Sequence, residues 1–311
     1  ENFVVTGNHE HNISVPMVTV SGIVTDSSGQ PVSGANLNFW GNDNVGNLEY
    51  ETSANITTDT DGSYSIEILT MDNMEQFEIH PPEGNTDLLA FSLTDIPQFT
   101  SDTVFNITFP SVSASLSGTI LKSDGTTFDI FDEWYDSSQL SIRLYSENPS
   151  VYQEVGSNGS YDFNLLPGVY DIRIEGSNYL HDQDTDRFQS SYFQYKQENF
   201  VITGNHEHNI SIPMVTVSGI VTDSSGQPVS DALIYFWGYD NAGNLQYETS
   251  AEIKTDTDGS YSAEILAVDN VEEFEIHPPE GNTDLLAFEV TNVPQFTSDT
   301  VFNITFPGTT S

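Results

Sequence analysis

Apolar side chains fall at alternate positions in short runs, and polar turn residues interrupt them at intervals of about ten residues. Val18, Val20 and Ile23 run into the turn Asp26-Ser-Ser-Gly29-Gln-Pro31. Ala35, Leu37 and Phe39 alternate next. The turn Asp59-Thr-Asp61-Gly62 leads into Tyr64, Ile66 and Ile68, and Phe77 and Ile79 end at Pro81-Pro82. Leu88–Phe91 and Val104–Phe109 supply the last strands of this stretch. Period two marks half-buried strands, and no window keeps the 3.6-residue period of a helix. The pattern predicts an all-β chain of antiparallel sandwiches.

The pattern repeats. Asn-Ile-(Ser/Thr)-x-Pro begins at Asn12, Asn106, Asn209 and Asn303, at steps of 94, 103 and 94 residues (106−12, 209−106, 303−209). Residues 1–110 and 198–307 align without a gap and differ at 20 positions, so 90 of 110 (110−20) are identical. Three domains follow: 17–110 (type A), 111–213 (type B) and 214–307 (type A again), with a tail at 308–311. Residues 1–16 match 198–213 and read as the terminal strands of a preceding type B domain, which places the start of the chain in mid-array. Type B carries two insertions, Phe128–Ser138 and Tyr179–Phe193. Repeats this alike suggest units doing one mechanical job side by side.

Val20-Ser-Gly-Ile-Val-Thr-Asp-Ser-Ser-Gly-Gln-Pro-Val-Ser-Gly-Ala35, followed by Thr58-Asp-Thr-Asp-Gly-Ser-Tyr64, resembles the carboxypeptidase regulatory-like domain, a Cna-B-like module. Residues 217–232 with 255–261 resemble it equally, and 116–174 more faintly. The resemblance implies transthyretin-like Greek-key sandwiches, in tandem, without peptidase chemistry and on secreted or surface proteins. Strung through the short junctions Pro16-Met17, Pro110-Ser111 and Pro213-Met214, such domains are expected to form an elongated array.

Charge narrows the partners. Forty-seven acidic residues oppose six basic ones, a net charge of −41. Residues 17–110 hold 14 Asp and Glu and no Lys or Arg. Such a surface has nothing with which to neutralise phosphates, which argues against nucleic acid. No apolar run has the length of a membrane span. There is no cysteine, hence no disulfide and no thiolate metal site.

Candidate chemistry is sparse. Asp182, Asp184 and Asp186 have calcium-loop spacing, but Arg187 and Phe193 stand where an EF-hand needs Gly and Glu. Asp59 with Asp61, and Asp256 with Asp258, are weaker calcium candidates that equally suit hairpin turns. Calcium is the one cofactor expected. His206-Glu-His208, like His9-Glu-His11, sets two imidazoles on one strand face, short of a third zinc ligand. Sequons at Asn12, Asn55, Asn106, Asn158, Asn209 and Asn303 are glycosylation candidates, with Ile13 and Val15 expected to point inward beside an outward Asn12. Trp134, among Asp129, Asp132, Glu133 and Asp136, is the candidate for ligand stacking, whereas Trp40 and Trp237 read as core. No nucleophile motif is present. The sequence therefore reads as a non-catalytic extracellular or cell-surface protein of prokaryotic type: a fibre, filament or adhesin stalk partnering copies of itself or adjoining repeats. A carbohydrate- or protein-binding accessory module of a secreted enzyme is the alternative, with glycans as a further class of partner.

Overall fold

The computed structural model describes residues 7, 10, 14–45, 48–128, 139–182 and 187–308. No helix occurs among them, and the chain is all-β. The first repeat contributes β1 (Met17–Thr25), β2 (Asn36–Val45), β3 (Leu48–Thr57), β4 (Ser63–Leu69) and β5 (Met74–His80), then the short β6 (Phe91–Ser92), β7 (Thr103–Val104) and β8 (Ile107–Thr108). One sheet runs β4-β1-β7, with β8 also on β1, and the other runs β3-β2-β5-β6. Alternation on β1 buries Val18, Val20 and Val24, and alternation on β2 buries Leu37 and Phe39. These meet Phe77, Ile79, Phe99 and Phe109 in one apolar cluster, in which the Phe39 and Phe77 rings lie 5.1 Å apart.

The middle of the chain forms β9 (Ala114–Lys122), β10 (Gln139–Tyr145), β11 (Val151–Glu154), β12 (Ser160–Leu165), β13 (Gly168–Asp182), β14 (Arg187–Ile202), β15 (Asn205–Glu207) and β16 (Ile210–Ile212). The last repeat gives β17 (Met214–Thr222), β18 (Leu233–Ala242), β19 (Leu245–Lys254), β20 (Ser260–Leu266), β21 (Asn270–His277), β22 (Phe288–Glu289), β23 (Thr300–Val301) and β24 (Ile304–Thr305). Its smaller sheet, β20-β17-β23 with β24 on β17, repeats β4-β1-β7 with β8 on β1. Contacts divide the chain into two compact units. One holds 1–114 with 146–149 and 164–167, and the other holds 115–145, 150–163 and 168–311.

Two features differ from the sequence reading. The closing strands are not antiparallel: β7 and β8 run parallel to β1, as β15 and β16 do to β9 and β23 and β24 to β17. After β6 the chain leaves its sheet and crosses to β1, the kind of connection that parallel pairing needs and a two-residue hairpin cannot supply. Val15 is also not inward-pointing. It is 55% exposed, whereas Ile212 at the matching position is fully buried. Ile212 lies on β16 against β9, and residues 14–16 pair with no strand among the described residues.

Candidate functional site

The turn carboxylates are occupied by their own turns. Asp61 Oδ1 accepts from the Ser63 amide at 3.0 Å and the Ser63 hydroxyl at 2.6 Å, while the Gly62 amide donates to the Asp59 carbonyl. Gly62 stands at φ +77°, and a Cβ there would meet the Val24 carbonyl at 2.7 Å. Asp258 takes the Ser260 amide at 3.0 Å in the second copy. Asp26, Asp124 and Asp223 organise similar turns through hydrogen bonds from Ser28, Thr126 and Ser225. Those bonds hold all five carboxyls below the ordinary aspartate value. A carboxylate depressed in this way stabilises the fold at neutral pH, and the contribution fades as pH falls through the lowered value. No group of three or more His, Cys, Asp or Glu poised for a metal occurs among the described residues. Asp182 ends β13, and Asp184 and Asp186 lie outside the described residues, as do Asn12, His9, His11 and Trp134.

His206 and His208 do share a face, and Phe200 sits between them. Its ring centroid lies 5.6 Å from that of His206 and 4.6 Å from that of His208. His208 Nε2 is 3.1 Å from Gln197 Oε1, and burial, then the neighbouring His206, lowers its pKa. His80 and His277 sit at strand ends beside Glu78 and Glu275. Trp40 and Trp237 are not core residues. Each is half-buried on the outer face and donates its indole N–H to a glutamate of the neighbouring strand, Glu51 at 3.0 Å and Glu248 at 3.3 Å. Trp40 lies in a shallow depression with Asn38, Ser53, Asn55 and Gln76.

The sequon asparagines have a structural use that the sequence reading missed. Between β7 and β8 the ladder against β1 is interrupted, and Asn106 Oδ1 accepts the Ile23 amide at 3.0 Å. The neighbouring Phe105 carbonyl is taken by the Tyr64 hydroxyl at 2.6 Å. Asn209 serves the Thr119 amide and Asn303 the Ile220 amide in the same way, each at 3.0 Å. Tyr161 and Tyr261 donate to the carbonyls of His208 and Phe302. Asn158 accepts from Ser160 within its turn, and Asn55 accepts from Asn36 across the β2–β3 pair. The signal was present: the asparagine of Asn-Ile-(Ser/Thr)-x-Pro stands 83 or 90 residues after the Ile or Thr whose amide it accepts, the residue that follows each Ser-Gly pair.

The most extensive constructed feature is a strand junction. The described parts of the insertion, Tyr179–Asp182 and Arg187–Phe193, are strand. They extend β13 and β14 into a long hairpin, and β14 pairs antiparallel with β19 from Gln189↔Ile253 to Gln197↔Leu245. One sheet of eight strands results, in the order β11-β10-β13-β14-β19-β18-β21-β22. Phe193 and Tyr195 are buried beneath the junction, with Phe193 stacked on Phe128 at 5.3 Å and Tyr195 against Tyr247 at 5.4 Å. Gly176 makes room for the Phe193 ring, which a Cβ would meet at 2.2 Å. Within the ladder the Thr249 hydroxyl also donates to the Tyr192 carbonyl at 3.2 Å, and away from it Lys122 binds Glu264 at 2.7 Å.

No protein-family model and no curated protein matches the chain. Among solved structures it is similar to the Bacillus anthracis TIE protein, with 11% identity and a TM-score of 0.25 over 93% of this chain and 50% of that one. It is also similar to a streptococcal ancillary pilin, at 11% identity and TM-score 0.25, over 94% of this chain and 99% of the pilin. A third is GBS52, the minor pilin of Streptococcus agalactiae, at 11% identity and TM-score 0.30, over 62% and 94%. The chain spans half the length of the TIE protein.

Proposed function

We propose that the chain is a non-catalytic structural repeat protein of a prokaryotic cell surface, a section of a fibre or adhesin stalk. The observation that carries this reading is the β14–β19 junction, where the long strand of one repeat continues the sheet of the next. Backbone hydrogen bonds in a continuous ladder couple adjacent repeats more tightly than a flexible linker would. The three repeat modules at 17–110, 111–213 and 214–307 and the carboxypeptidase regulatory-like resemblance belong to the same proposal. A net charge of −41 suits a surface that must stay hydrated and resist self-collapse. Immunogold labelling tests the reading. Antibodies raised against the folded chain should decorate intact cells that make it, together with surface material sheared from them. Labelling confined to lysed cells would overturn it.

A further inference from the structure

We infer that the outer edge of β3 is a docking site for an extended strand of the β14 type, added antiparallel as β14 adds to β19. The inference deepens the reading of a repeat array and rests on it for the source of such a strand. β3 and β19 share seven of ten residues, differing at positions 49, 55 and 57 (10−3). Each pairs with its hairpin partner in one register, Phe39↔Ala54 on β2 and Phe236↔Ala251 on β18. The opposite edges differ: β19 carries β14, and β3 carries no strand among the described residues.

Exposure records the difference. Ala251 and Ile253 are 6% and 5% exposed under β14, while the matching Ala54 and Ile56 are half-buried. Ser53, Asn55 and Thr57 are exposed where Ser250, Glu252 and Lys254 are half-buried. β3 is thus a ten-residue edge whose outer side meets no strand among the described residues, with a partly open apolar margin, the arrangement that recruits another strand.

Charge selects the occupant. In the filled junction Lys196 stands opposite Gln246, and the matching residue of β3 is Glu49. A β14-type strand, with Arg187 and Lys196, therefore brings cations to a repeat that has 14 acids and no base of its own. Two β3 edges laid antiparallel about Tyr50 would instead oppose Glu49 of each copy to Glu51 of the other, which like-charge pairing disfavours.

The absence of cysteine allows a register test. Tyr192 faces Ser250, so a docked strand places its Tyr192 position opposite Ser53 (250−197). A capped Arg187–Gln197 peptide carrying Tyr192→Cys should form a disulfide with the Ser53→Cys full chain, because directly opposed residues lie within disulfide reach. The yield should be at least about tenfold above that of a peptide carrying Phe193→Cys instead, whose thiol points to the other face. A Ser250→Cys chain, already covered by β14, should not react. In the unmodified chain, the unsubstituted peptide should slow amide exchange at residues 51–57, and a scrambled peptide should not. Equal yields in both registers, no cross-link, or unchanged exchange overturns the docking site. Loss of the cross-link with surface labelling intact removes the edge and leaves the array; the converse removes the array alone.

Discussion

At the residue scale, Gly22, Tyr64 and Asn106 act together. A Cβ on Gly22 would lie 2.0 Å from the Phe105 carbonyl oxygen, and corresponding contacts of 2.1 Å occur at Gly118 and Gly219. Only glycine lets the crossing strand approach this closely. The carbonyl so admitted accepts the buried Tyr64 hydroxyl, whose pKa burial raises. Gly22→Ala must push the strands apart and is expected to cost about 3 kcal/mol, in the range of overpacked cores. Tyr64→Phe keeps the packing but loses a hydrogen bond, for about 1–2 kcal/mol. Chemical denaturation of both variants checks the order, and an Ala variant as stable as the parent contradicts it. The glycines and tyrosines were visible in the sequence as repeated letters. Their partners were not, because Tyr64 and Phe105 are 41 residues apart and meet only across β1, the strand that separates them in the folded sheet.

At the element scale, the hairpin β13–β14 decides how repeats join. Phe193 is 7% exposed, stacked on Phe128 and opposite Thr249, so it belongs to both sides of the junction. Phe193→Asp would bury an unpaired charge at a cost of about 3 kcal/mol or more. Calorimetry should then show the transition of residues 115–311 split in two, with the last repeat melting on its own. A single unchanged transition would mean that β14 does not couple the two. The alternation of Phe193 and Tyr195 with Tyr192, Gln194 and Lys196 is strand-like in the sequence. It names no partner, because an edge strand accepts any complementary edge and the choice depends on which edges the fold leaves open.

At the scale of the whole molecule, electrostatics opposes compaction. The 47 acidic residues are met by six cations, several already committed: Lys122 to Glu264, Lys196 to Glu198 and Lys254 to Asp231. Raising NaCl from about 10 mM to about 1 M shortens the screening length from roughly 30 to 3 Å. The melting temperature at neutral pH should therefore rise with salt. A flat or falling curve would mean that the surface ion pairs outweigh the repulsion, against their small individual worth.

The period-two pattern, the turn residues and the 94-residue step by themselves determined an all-β chain of repeats, because alternation and turn chemistry are local properties of consecutive residues. The same letters placed the buried faces of β2 and β4 through Leu37, Phe39 and Ile68, whereas on β1 they marked Val18 and Val20 but also Ile23, which is 44% exposed beside the buried Val24. Three matters were decided only by tertiary structure. The closing strands run parallel to β1, the sequon asparagines bridge a broken ladder, and an insertion in one repeat becomes the edge partner of the next. Each depends on which distant backbone groups remain unpaired once the sheets have formed. That is a property of the assembled topology, and Leu48–Thr57 and Leu245–Lys254, nearly the same in sequence, meet different surroundings because of it.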